Sequence, residues 1–303
     1  MKRRRIRNWF SNMRRLDKPL IYMGLVFWYV ENFFQAMKTT DPEMQAMIAA
    51  LDSPYDAKQA GKQVKLRPGW KEKIQLRVME FALRHKFQPG TSWHRMLMAT
   101  GDTELIEWND WGDTYWGKDI DTGEGENHLG RLLMMLRDEY RRLGTSAADT
   151  IVKVFIGGSI GIQSLPSSVT ARIDRMIEGN LAILVGDAPG VDRSVQQYLA
   201  ESFYHNVLVF HSGKICRNNL GGWQTRAVSV DLDGRGFEFY ALKDLLMARE
   251  ADYGLMVWDG KSRGTRNNIR NLLQEGKPDV VFLSSDQSFH LVRNAEDLSN
   301  LPV

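Results

Sequence analysis

A row of polar side chains on an otherwise apolar segment is the first feature of this sequence that could do chemistry. In VENFFQAMK, Glu31, Gln35 and Lys38 stand at positions i, i+4 and i+7, so a helix would place them on one face. The other positions are mostly apolar and would bury the helix on its remaining sides. A carboxylate and an amine in such surroundings have reason to titrate abnormally. The alternative is that the stripe is the solvent-facing side of an amphipathic helix.

The stretch from residue 92 to residue 130 combines tryptophans with acidic side chains. It contains TGDTELIE with Glu107, DTYWG with Asp113, Trp116 and Gly117, and GEGENHLG with Asn127. Tryptophan is more often a core residue, but a Trp followed by glycine in an acidic loop suits a platform for a flat base. Asn127 is placed to cap the last helix, where its side chain or the helix amides would be able to hold a phosphate.

The elements that must position these residues differ between the two halves of the chain. The first half shows helical spacing at 41–50, 54–60, 68–85 and 126–143, with room for one or two short strands within 20–29. This pattern predicts a mainly α, or α+β, domain over residues 1–145. The small polar string GTSAADT then marks a boundary, and a second domain is expected over residues 150–303.

The second half alternates strands with helices. Apolar runs occur at 151–156, 181–185, 207–210, 254–258 and 280–283, and helical stretches lie between them at 168–178, 191–203, 239–249 and 265–275. This rhythm predicts an α/β domain of Rossmann type with a parallel sheet. In such a sheet, ligands bind outside the carboxyl ends of the strands.

Three glycine-bearing loops follow strands of this second domain. They are GGS, GDAPGVD and WDGKSRGTRNN, and in the last of them Thr265 is placed to cap the next helix. Glycine allows backbone amides to approach a phosphate, although strand-to-helix turns also contain glycine for purely steric reasons. Because the three loops would meet at one edge of the sheet, they predict a shared ligand site.

Composition narrows the remaining classes of function. One cysteine among 303 residues forms no internal disulfide, and no cluster of cysteines or of the six histidines predicts a metal site, so neither a metal nor another cofactor is expected. The apolar run LIYMGLVFWYV is about half the length of a membrane span, and a cytoplasmic protein without a membrane partner is expected. Residues 1–7 carry five basic groups, which would either contact phosphates or simply be solvated.

Six ordered strings of the first half resemble the NADAR family, whose name refers to NAD and ADP-ribose and which includes N-glycosidases of the YbiA type. They are FSN with Asn12, VENFFQAMK, SPYDAKQAGKQV, VMEFALRHKF, TGD with Glu107 followed by DTYWG, and NHLGRLLMMLR. The resemblance runs from about residue 10 to residue 143 and implies cleavage of the N-glycosidic bond of an ADP-ribosylated or phosphoribosylated base. Asn32 stands where the family usually has a histidine, which puts the substrate selectivity in question.

The resemblance also implies roles for individual residues. Lys38 would attack C1′ of the sugar and form an imine, Glu31 would be its general acid and base, and Asp113 would contact the ribose hydroxyls or the oxocarbenium ion. Trp116 would stack on the base. The residues expected to bind or position the substrate are Asn12, Gln35, Glu107, Trp116, Gly117 and Asn127.

The strings VGDAPGVDRSVQQYL and KDLLMAREADYGLMVWDGKSRGT are similar to the SLOG superfamily of Rossmann-like nucleotide-binding proteins, over about residues 151–283. This similarity implies a nucleotide site formed by Gly157, Gly158, Ser159, Asp187, Gly190, Asp192, Gly264 and Thr265. The LOG enzymes of this superfamily carry PGGxGT, whereas this chain has DGKSRGT. The second domain is therefore interpreted as a binding or sensing module, with LOG-like phosphoribohydrolase activity as the alternative.

A rival class of function remains open for the whole chain, namely a non-catalytic sensor or regulator that binds ADP-ribose or another NAD derivative. An abnormal pKa of Lys38 beside a reachable pocket would favour the enzyme, and a solvent-exposed Lys38 would favour the sensor. The expected partner is an ADP-ribose-like nucleotide or ADP-ribosylated nucleic acid. Homo-oligomerisation through the second domain is a further expectation.

Overall fold

The computed structural model describes residues 3–5, 10–144, 151–228 and 237–303. The chain divides into two compact units, Met1–Asp149 and Thr150–Val303, here called unit 1 and unit 2. The predicted fold class is confirmed, because helices dominate unit 1 and a mostly parallel sheet with helices forms unit 2. Of the string GTSAADT at the predicted boundary, the first residue ends the last helix of unit 1 and residues 145–150 lie outside the described part of the chain.

Unit 1 combines short strands with helices. Its strands are β1 (Arg3–Arg5), β2 (Arg15–Tyr22), β3 (Leu25–Tyr29), β4 (Glu104–Ile106), β5 (Trp108–Asn109) and β6 (Lys118–Asp119). Its helices are α1 (Val30–Ala36), α2 (Pro42–Ala49), α3 (Pro54–Ala60), α4 (Gln75–Lys86), α5 (Ser92–Met98) and α6 (His128–Gly144). A π-helical turn, Trp70–Ile74, precedes α4.

Local sequence explains most of these boundaries. The side chain of Asp41 accepts hydrogen bonds at the start of α2, that of Ser53 does the same for α3, and each helix has proline in its first turn. The helix predicted over 68–85 begins later, because Gly69 adopts a left-handed conformation with φ of 72° and the chain then makes the π-helical turn. Helix α5, capped by Thr91, was not predicted.

The core of unit 1 forms around α1, which packs on the β2–β3 hairpin and on α4. The Phe33 ring lies 5.2 Å from Phe27, 5.3 Å from Tyr22 and 5.8 Å from Phe81, measured between centroids. Every residue of α1 is buried, including the polar ones. The interpretation of the polar stripe as a solvent-facing side is therefore wrong.

Part of the basic N-terminus forms a strand. Its residues Arg3–Arg5 form β1 and pair in parallel with Glu104–Ile106 of β4. This strand was not predicted, because backbone pairing does not require the apolar alternation that a sequence pattern detects. The two alternatives for the basic side chains stay predictions. The neighbouring residues 1–2 and 6–9 lie outside the described part of the chain.

Unit 2 is built on a seven-stranded sheet with strand order β10-β9-β8-β7-β11-β12-β13. Its strands are β7 (Lys153–Gly158), β8 (Ala182–Gly186), β9 (Val207–Ser212), β10 (Gln224–Val228), β11 (Tyr253–Trp258), β12 (Asp279–Leu283) and β13 (Ser288–Val292). Its helices are α7 (Ser167–Glu178), α8 (Val191–Glu201), α9 (Phe237–Glu250), α10 (Arg263–Gln274) and α11 (Ala295–Ser299).

All neighbouring strands of this sheet run parallel except β12 and β13, which are antiparallel. The five predicted strands are present, whereas the two edge strands β10 and β13 were not predicted. An edge strand such as β10 is mostly exposed and has no continuous apolar run that a sequence pattern would detect. Strands β8, β9 and β10 lie on one side of β7, and strands β11, β12 and β13 lie on the other. The strand order therefore reverses between β7 and β11, and this switch point opens a crevice at the carboxyl ends of the strands.

The core of unit 2 lies between the sheet and its covering helices. It includes Phe155, Leu184, Phe210 and Met256, all essentially inaccessible to solvent. Across both units, no described helix is long and apolar enough to cross a membrane.

Candidate functional sites

Unit 1 has a cavity of about 620 Å³, here called the first cavity, which is within the usual range for small-molecule sites. Seven of the nine residues predicted for a site in this unit line it, although they come from distant parts of the chain. They are Asn12, Glu31, Gln35, Lys38, Glu107, Asp113 and Trp116.

Helix α1 presents Glu31 and Gln35 to this cavity. The Gln35 Nε2 donates to the Glu31 Oε1 over 2.7 Å, and both side chains are buried. Burial raises the pKa of the Glu31 carboxyl, an effect opposed by the hydrogen bond from Gln35 and by the charges of Lys58 and Lys38. The remaining oxygen of Gln35 has no hydrogen-bond partner among the described residues.

Lys38 reaches the same cavity from outside the helix. The prediction placed Glu31, Gln35 and Lys38 on one helix. It is wrong for Lys38, because α1 ends at Ala36 and Lys38 lies in the following turn. Its Nζ donates to the Gly61 carbonyl oxygen over 3.4 Å. Burial lowers the pKa of Lys38, the charge of Glu31 raises it, and the charges of Lys58 and Lys62 lower it further.

The pKa shifts of Glu31 and Lys38 point in opposite directions, and both favour the uncharged form. A neutral carboxylic acid is a proton donor, and a neutral amine is a nucleophile. Both side chains line the first cavity, and burial displaces the pKa of each toward its uncharged form.

A segment at the start of unit 1 forms another wall. The Asn12 carbonyl oxygen accepts from the Glu31 amide over 3.2 Å, and the Asn12 Oδ1 has no hydrogen-bond partner among the described residues. Lys86 at the end of α4 fixes this segment, since its Nζ donates to the carbonyl oxygens of Phe10 at 3.0 Å and Ser11 at 2.8 Å. Burial lowers the pKa of Lys86 to about 7. The sequence analysis gave Lys86 no role; its one signal was a lysine on an apolar helix.

Another part of the lining carries Glu107, Asp113 and Trp116, and its loop is held by the buried Asn109. The Asn109 Nδ2 donates to the Asp113 carbonyl oxygen over 2.8 Å, and the Asn109 Oδ1 accepts from the Asp113 amide over 2.9 Å. The Asp113 carboxylate accepts from the Trp116 amide over 2.9 Å. The Trp116 ring meets Phe34 edge-on at 5.5 Å.

Two residues predicted to bind substrate do not line this cavity. A Cβ at Gly117 would lie 2.1 Å from the Glu107 carbonyl oxygen, so this glycine allows close backbone packing. The Asn127 Oδ1 accepts from the Glu107 amide over 3.0 Å, and its Nδ2 donates to the Leu105 carbonyl oxygen over 2.9 Å. Asn127 therefore fixes the backbone at Glu107, and its predicted role as the side-chain cap of α6 is wrong because both ends of its amide are already used.

Asn32 also lies outside the lining of the first cavity. Its Nδ2 donates to the carbonyl oxygens of Ile48 at 3.3 Å and Leu51 at 2.7 Å, which anchors the end of α2. Where the family usually has a histidine, this chain therefore has an amide whose hydrogen bonds hold the neighbouring backbone in place. Residues of the lining to which the sequence analysis gave no site role are Ser11, Met13, Phe34, Tyr55, Lys58, Met79, Trp111 and Leu129.

Unit 2 has its own cavity of about 400 Å³, here called the second cavity, formed by the segments that follow β7, β8 and β11. Four of the eight predicted residues line it, namely Gly158, Asp192, Gly264 and Thr265. The expectation that these loops meet at one edge of the sheet agrees with this placement.

The other four predicted residues support the second cavity from behind. Gly157 lies with Gly158 inside β7, so these glycines belong to the strand and not to a loop. The Ser159 hydroxyl accepts from the Asp259 amide, and the Asp187 carboxylate pairs with the Arg217 guanidinium at 2.6 and 2.9 Å. Gly190 has φ of 77° and passes so close to Ile160 that a Cβ would lie 2.3 Å from its carbonyl oxygen.

Thr265 does not cap α10, because it lies inside this helix. Its hydroxyl donates to the Ser262 Oγ over 3.2 Å and lies 3.3 Å from the Ser159 Oγ. The predicted cap lies three residues too late, since Ser262 occupies the N-cap position and Gly264 in the first turn obscures the start of the helix in the sequence.

Buried charges of both signs meet at the second cavity. Burial raises the pKa of Asp192 to about 6 despite the nearby charge of Lys243. Burial alone would lower the pKa of Lys243, but the charges of Asp244 and Asp192 raise it overall. Arg217 and Arg263 add two more cations to the lining. The sequence analysis missed these cationic residues because they come from separate segments that no motif joins.

Comparison with known proteins supports the resemblance of the first half. The NADAR domain matches residues 2–141. The N-glycosidase YbiA of Shigella flexneri serotype 5b is 36% identical over 132 residues, which is 43% of this chain and 79% of that protein. The N-glycosidase Npun_R5314 of Nostoc punctiforme is 32% identical over 129 residues, covering 41% and 81% of the two chains.

Among solved structures, DNA processing protein A from Helicobacter pylori is 18% identical with a TM-score of 0.34, and the match covers 44% of this chain and 66% of the other. A TM-score of this size does not establish a shared fold, so the description of unit 2 rests on its own strand order. For unit 1, the domain match and the extent of the N-glycosidase matches decide the assignment. This chain belongs to the NADAR family.

Proposed function

We propose that unit 1 hydrolyses the N-glycosidic bond of an ADP-ribosylated or phosphoribosylated base, or of a related nucleotide. At the level of the reaction class, the chain is a hydrolase of N-glycosyl compounds, as its N-glycosidase relatives indicate. The observation that supports the proposal most strongly is the presence of buried Glu31 and half-buried Lys38 in one cavity, each with its pKa displaced toward the neutral form.

In the proposed reaction, the unprotonated Nζ of Lys38 attacks C1′ of the sugar while the bond between C1′ and the base nitrogen breaks. The electron pair of that bond goes to the base, which takes the proton of the Glu31 carboxylic acid. One proton then moves from the Lys38 nitrogen to the ring oxygen, the bond between C1′ and that oxygen breaks, and the opened sugar is left as a protonated imine on Lys38. Water then adds to C1′ with Glu31 as the base, and release of the sugar regenerates the amine.

The remaining wall residues have supporting roles in this proposal. Asp113 and Glu107 face the positive charge that develops on the sugar, and the Trp116 ring offers a surface for the base. The amides of Asn12 and Gln35 each have an oxygen that finds no partner among the described residues, and we propose that they bind polar edges of the substrate.

The rival function, a sensor that binds without cleaving, requires an ordinary Lys38. In the structure, Lys38 is half-buried, lines a cavity and has a lowered pKa, and these observations favour the enzyme. The direct test is incubation of the full chain with ADP-ribosylated guanosine, NAD, ADP-ribose and aminopyrimidine ribosides, followed by separation of the products by mass. Release of a free base from none of them would contradict the proposal for these substrates.

The rate should depend on pH in a way that reflects both neutral groups. The active form needs a deprotonated Lys38, whose pKa is lowered from 10.5, and a protonated Glu31, whose pKa is raised from 4.5. We expect a bell-shaped profile of kcat/KM with both limbs between these two values. A rate that rises without a maximum through this interval would exclude Glu31 as the proton donor.

We propose that unit 2 binds a nucleotide in the second cavity as a sensing module. The cavity lies at the carboxyl edge of a parallel sheet, where α8 and α10 begin, and Arg217, Lys243 and Arg263 provide cations for phosphate. Asp192, whose pKa is raised to about 6, is the residue of this lining best suited to proton transfer should the unit act as a phosphoribohydrolase.

Two glycines of the second cavity give a matched test of this binding. A Cβ at Gly264 would meet open space, so Gly264→Leu should weaken the binding of ADP-ribose by roughly 10-fold or more while leaving the melting temperature unchanged or raised. A Cβ at Gly158 would lie 2.2 Å from the Val257 carbonyl oxygen, so Gly158→Ala should instead destabilise the fold by about 1–3 kcal/mol. Calorimetry on a Lys38→Ala background prevents turnover but leaves ligand binding by unit 1, so two binding events are expected. Gly264→Leu should weaken one of them, and two unchanged events in the folded variant would contradict the site.

A further inference from the structure

The turn that precedes β2 is held in place by groups from distant parts of unit 1. Its carbonyl oxygens at Phe10 and Ser11 both accept from the Lys86 Nζ, over 3.0 and 2.8 Å. The next carbonyl oxygen, that of Asn12, accepts from the Glu31 amide over 3.2 Å. Three consecutive carbonyl oxygens of this turn therefore each accept from a residue on a helix, and Lys86 serves two of them.

The surroundings of Lys86 are apolar and closed. Its side chain is 1% exposed, and its Nζ lies 4.4 Å from the centroid of the Trp93 ring and 5.3 Å from that of Phe87. The Phe10 ring meets Phe87 edge-on at 5.5 Å and helps to close this site. Burial lowers the pKa of Lys86 to about 7, and the positive charge of Arg14 acts in the same direction.

Lys86 therefore serves this turn as a hydrogen-bond donor more than as a charge. An ammonium has three N–H donors and the neutral amine keeps two, so Lys86 is able to serve both carbonyl oxygens in either protonation state. A buried ammonium is costly to the folded state, and filling space among aromatic rings does not require one. The two hydrogen bonds are what a purely apolar side chain at this position would not supply.

Asn12 follows directly after the two carbonyl groups that Lys86 holds. Its Nδ2 donates to the Met79 Sδ over 3.4 Å, and its Oδ1 is buried and has no hydrogen-bond partner among the described residues. Met79 and Lys86 are seven residues apart on α4, which is two helical turns, and so lie on one face of it. This face holds both the backbone before Asn12 and the Asn12 side chain.

The start of α1 depends on the same turn. Tyr29 at the N-cap position provides no side-chain hydrogen bond, and the first amides of a helix have no partner within the helix. The Asn12 carbonyl oxygen supplies one for Glu31. A shift of this turn would therefore change the lining at Asn12 and would also remove a hydrogen bond from the backbone of Glu31.

We propose that Lys86 is a positioning residue of the first cavity and acts on the substrate through Asn12. The inference rests on the proposed function, because that function assigns a substrate to this cavity. Lys86 is not part of the lining, whereas Ser11 and Asn12 are. By holding the carbonyl groups of Phe10 and Ser11, Lys86 keeps Asn12 in the lining and keeps its carbonyl oxygen on the Glu31 amide.

Hydrogen exchange in the full chain without ligand tests the structural part of the proposal. Lys86→Met removes both hydrogen bonds and keeps an unbranched side chain of similar length. Followed by mass spectrometry at single amides, exchange of the Glu31 amide should become roughly 10-fold faster or more, the scale of two lost hydrogen bonds. Lys86→Gln has its donor on a shorter stem and should show a smaller change in the same direction. Unchanged exchange at Glu31 in either folded variant would overturn the proposal.

Arg84→Met is the matched control on the same helix. It also replaces one basic residue of α4 by methionine, but the Arg84 guanidinium pairs with Glu80 and Glu139 and not with the turn before β2. Exchange of the Glu31 amide should stay at the wild-type rate in this variant. An equal acceleration would mean that any loosening of α4 has this effect, and Lys86 would have no specific role.

A double-mutant cycle with Asn12→Ala tests whether Lys86 acts through Asn12. With a substrate that the wild type hydrolyses, Lys86→Met should lower kcat/KM by roughly 10-fold, mainly through a higher KM. In the Asn12→Ala background, the further loss caused by Lys86→Met should shrink to about 2-fold or less, because residues that act as one unit are not additive. A residue needed only for stability would give the same loss in both backgrounds, and that result would overturn the proposal.

The two measurements separate this proposal from the proposed function. Release of a base from none of the substrates would contradict the N-glycosidase function and would remove the kinetic cycle. Hydrogen exchange needs no turnover, so it would still decide whether Lys86 positions the wall that contains Asn12.

Discussion

Replacing Lys38 by alanine should reduce turnover by roughly 10⁴-fold or more while ligand binding is largely retained. An attacking amine contributes in the transition state far more than in the ground state, so kcat should fall and the dissociation constant should change little. The folded state should persist, since Lys38 donates only one long hydrogen bond, 3.4 Å to Gly61. Single-turnover kinetics and calorimetry on the same preparation separate the two effects.

Arginine at this position distinguishes nucleophilic from electrostatic action. Lys38→Arg keeps the positive charge, but a guanidinium stays protonated and does not attack C1′, so this variant should be as inactive as Lys38→Ala. Lys71→Ala, which removes an exposed lysine of the π-helical turn before α4, should retain normal turnover. Near-normal turnover of Lys38→Arg would end the imine hypothesis and leave the lysine an electrostatic role.

Borohydride reduction gives a chemical check of the same prediction. If an imine forms between Lys38 and the opened sugar, reduction during turnover should leave a stable sugar adduct on this residue. Peptide mass spectrometry should find it at Lys38 in the wild type and should find none in Lys38→Ala. An adduct that maps to Lys58 instead would transfer the nucleophilic role to that residue.

Replacing Glu31 by glutamine has the second largest expected effect. The amide keeps the shape of the side chain but neither donates a proton to the base nor accepts one from water, so the rate should fall by roughly 10²-fold to 10⁴-fold. Glu43→Gln makes the same change at an exposed residue in the first turn of α2 and should leave the rate unchanged.

The pH dependence of Glu31→Gln identifies what the carboxyl does. In the wild type, loss of the Glu31 proton limits the rate at high pH, whereas the variant has no proton to lose. Its residual rate should therefore rise with pH through the lowered pKa of Lys38 and show no fall beyond it. A variant profile that keeps the wild-type fall at high pH would assign that limb to another group.

The sequence by itself determined the main elements of both units. Alternating apolar runs and helical stretches predicted β7, β8, β9, β11 and β12 with the helices between them, because burial on a sheet or on one helix face imposes a local period. Elements without such a period were missed. Strand β10 has no continuous apolar run, and β1 is a run of three arginines whose backbone pairs with β4.

The residues of the candidate site of unit 1 were predicted only in part, because a sequence pattern reports local order and not the contacts between distant segments. Residue types and motif strings identified seven residues that line the first cavity, and their catalytic roles remain predictions. They did not identify Lys58, Tyr55 or Trp111, since nothing in a local pattern reports which distant segment faces a ligand. Nor did they separate Gly117 and Asn127, which hold the backbone near Glu107, from residues that face the cavity.

Only the tertiary structure decided the chemical state of the site. The sequence left open whether the stripe of Glu31, Gln35 and Lys38 was buried or solvated, and it placed all three on one helix. The packing of α1 buries Glu31 and Gln35, and the turn after Ala36 brings Lys38 to the same cavity. Desolvation and the distances between charges depend on residues far apart in the chain, so the opposite pKa shifts of Glu31 and Lys38 exist only once the unit has folded.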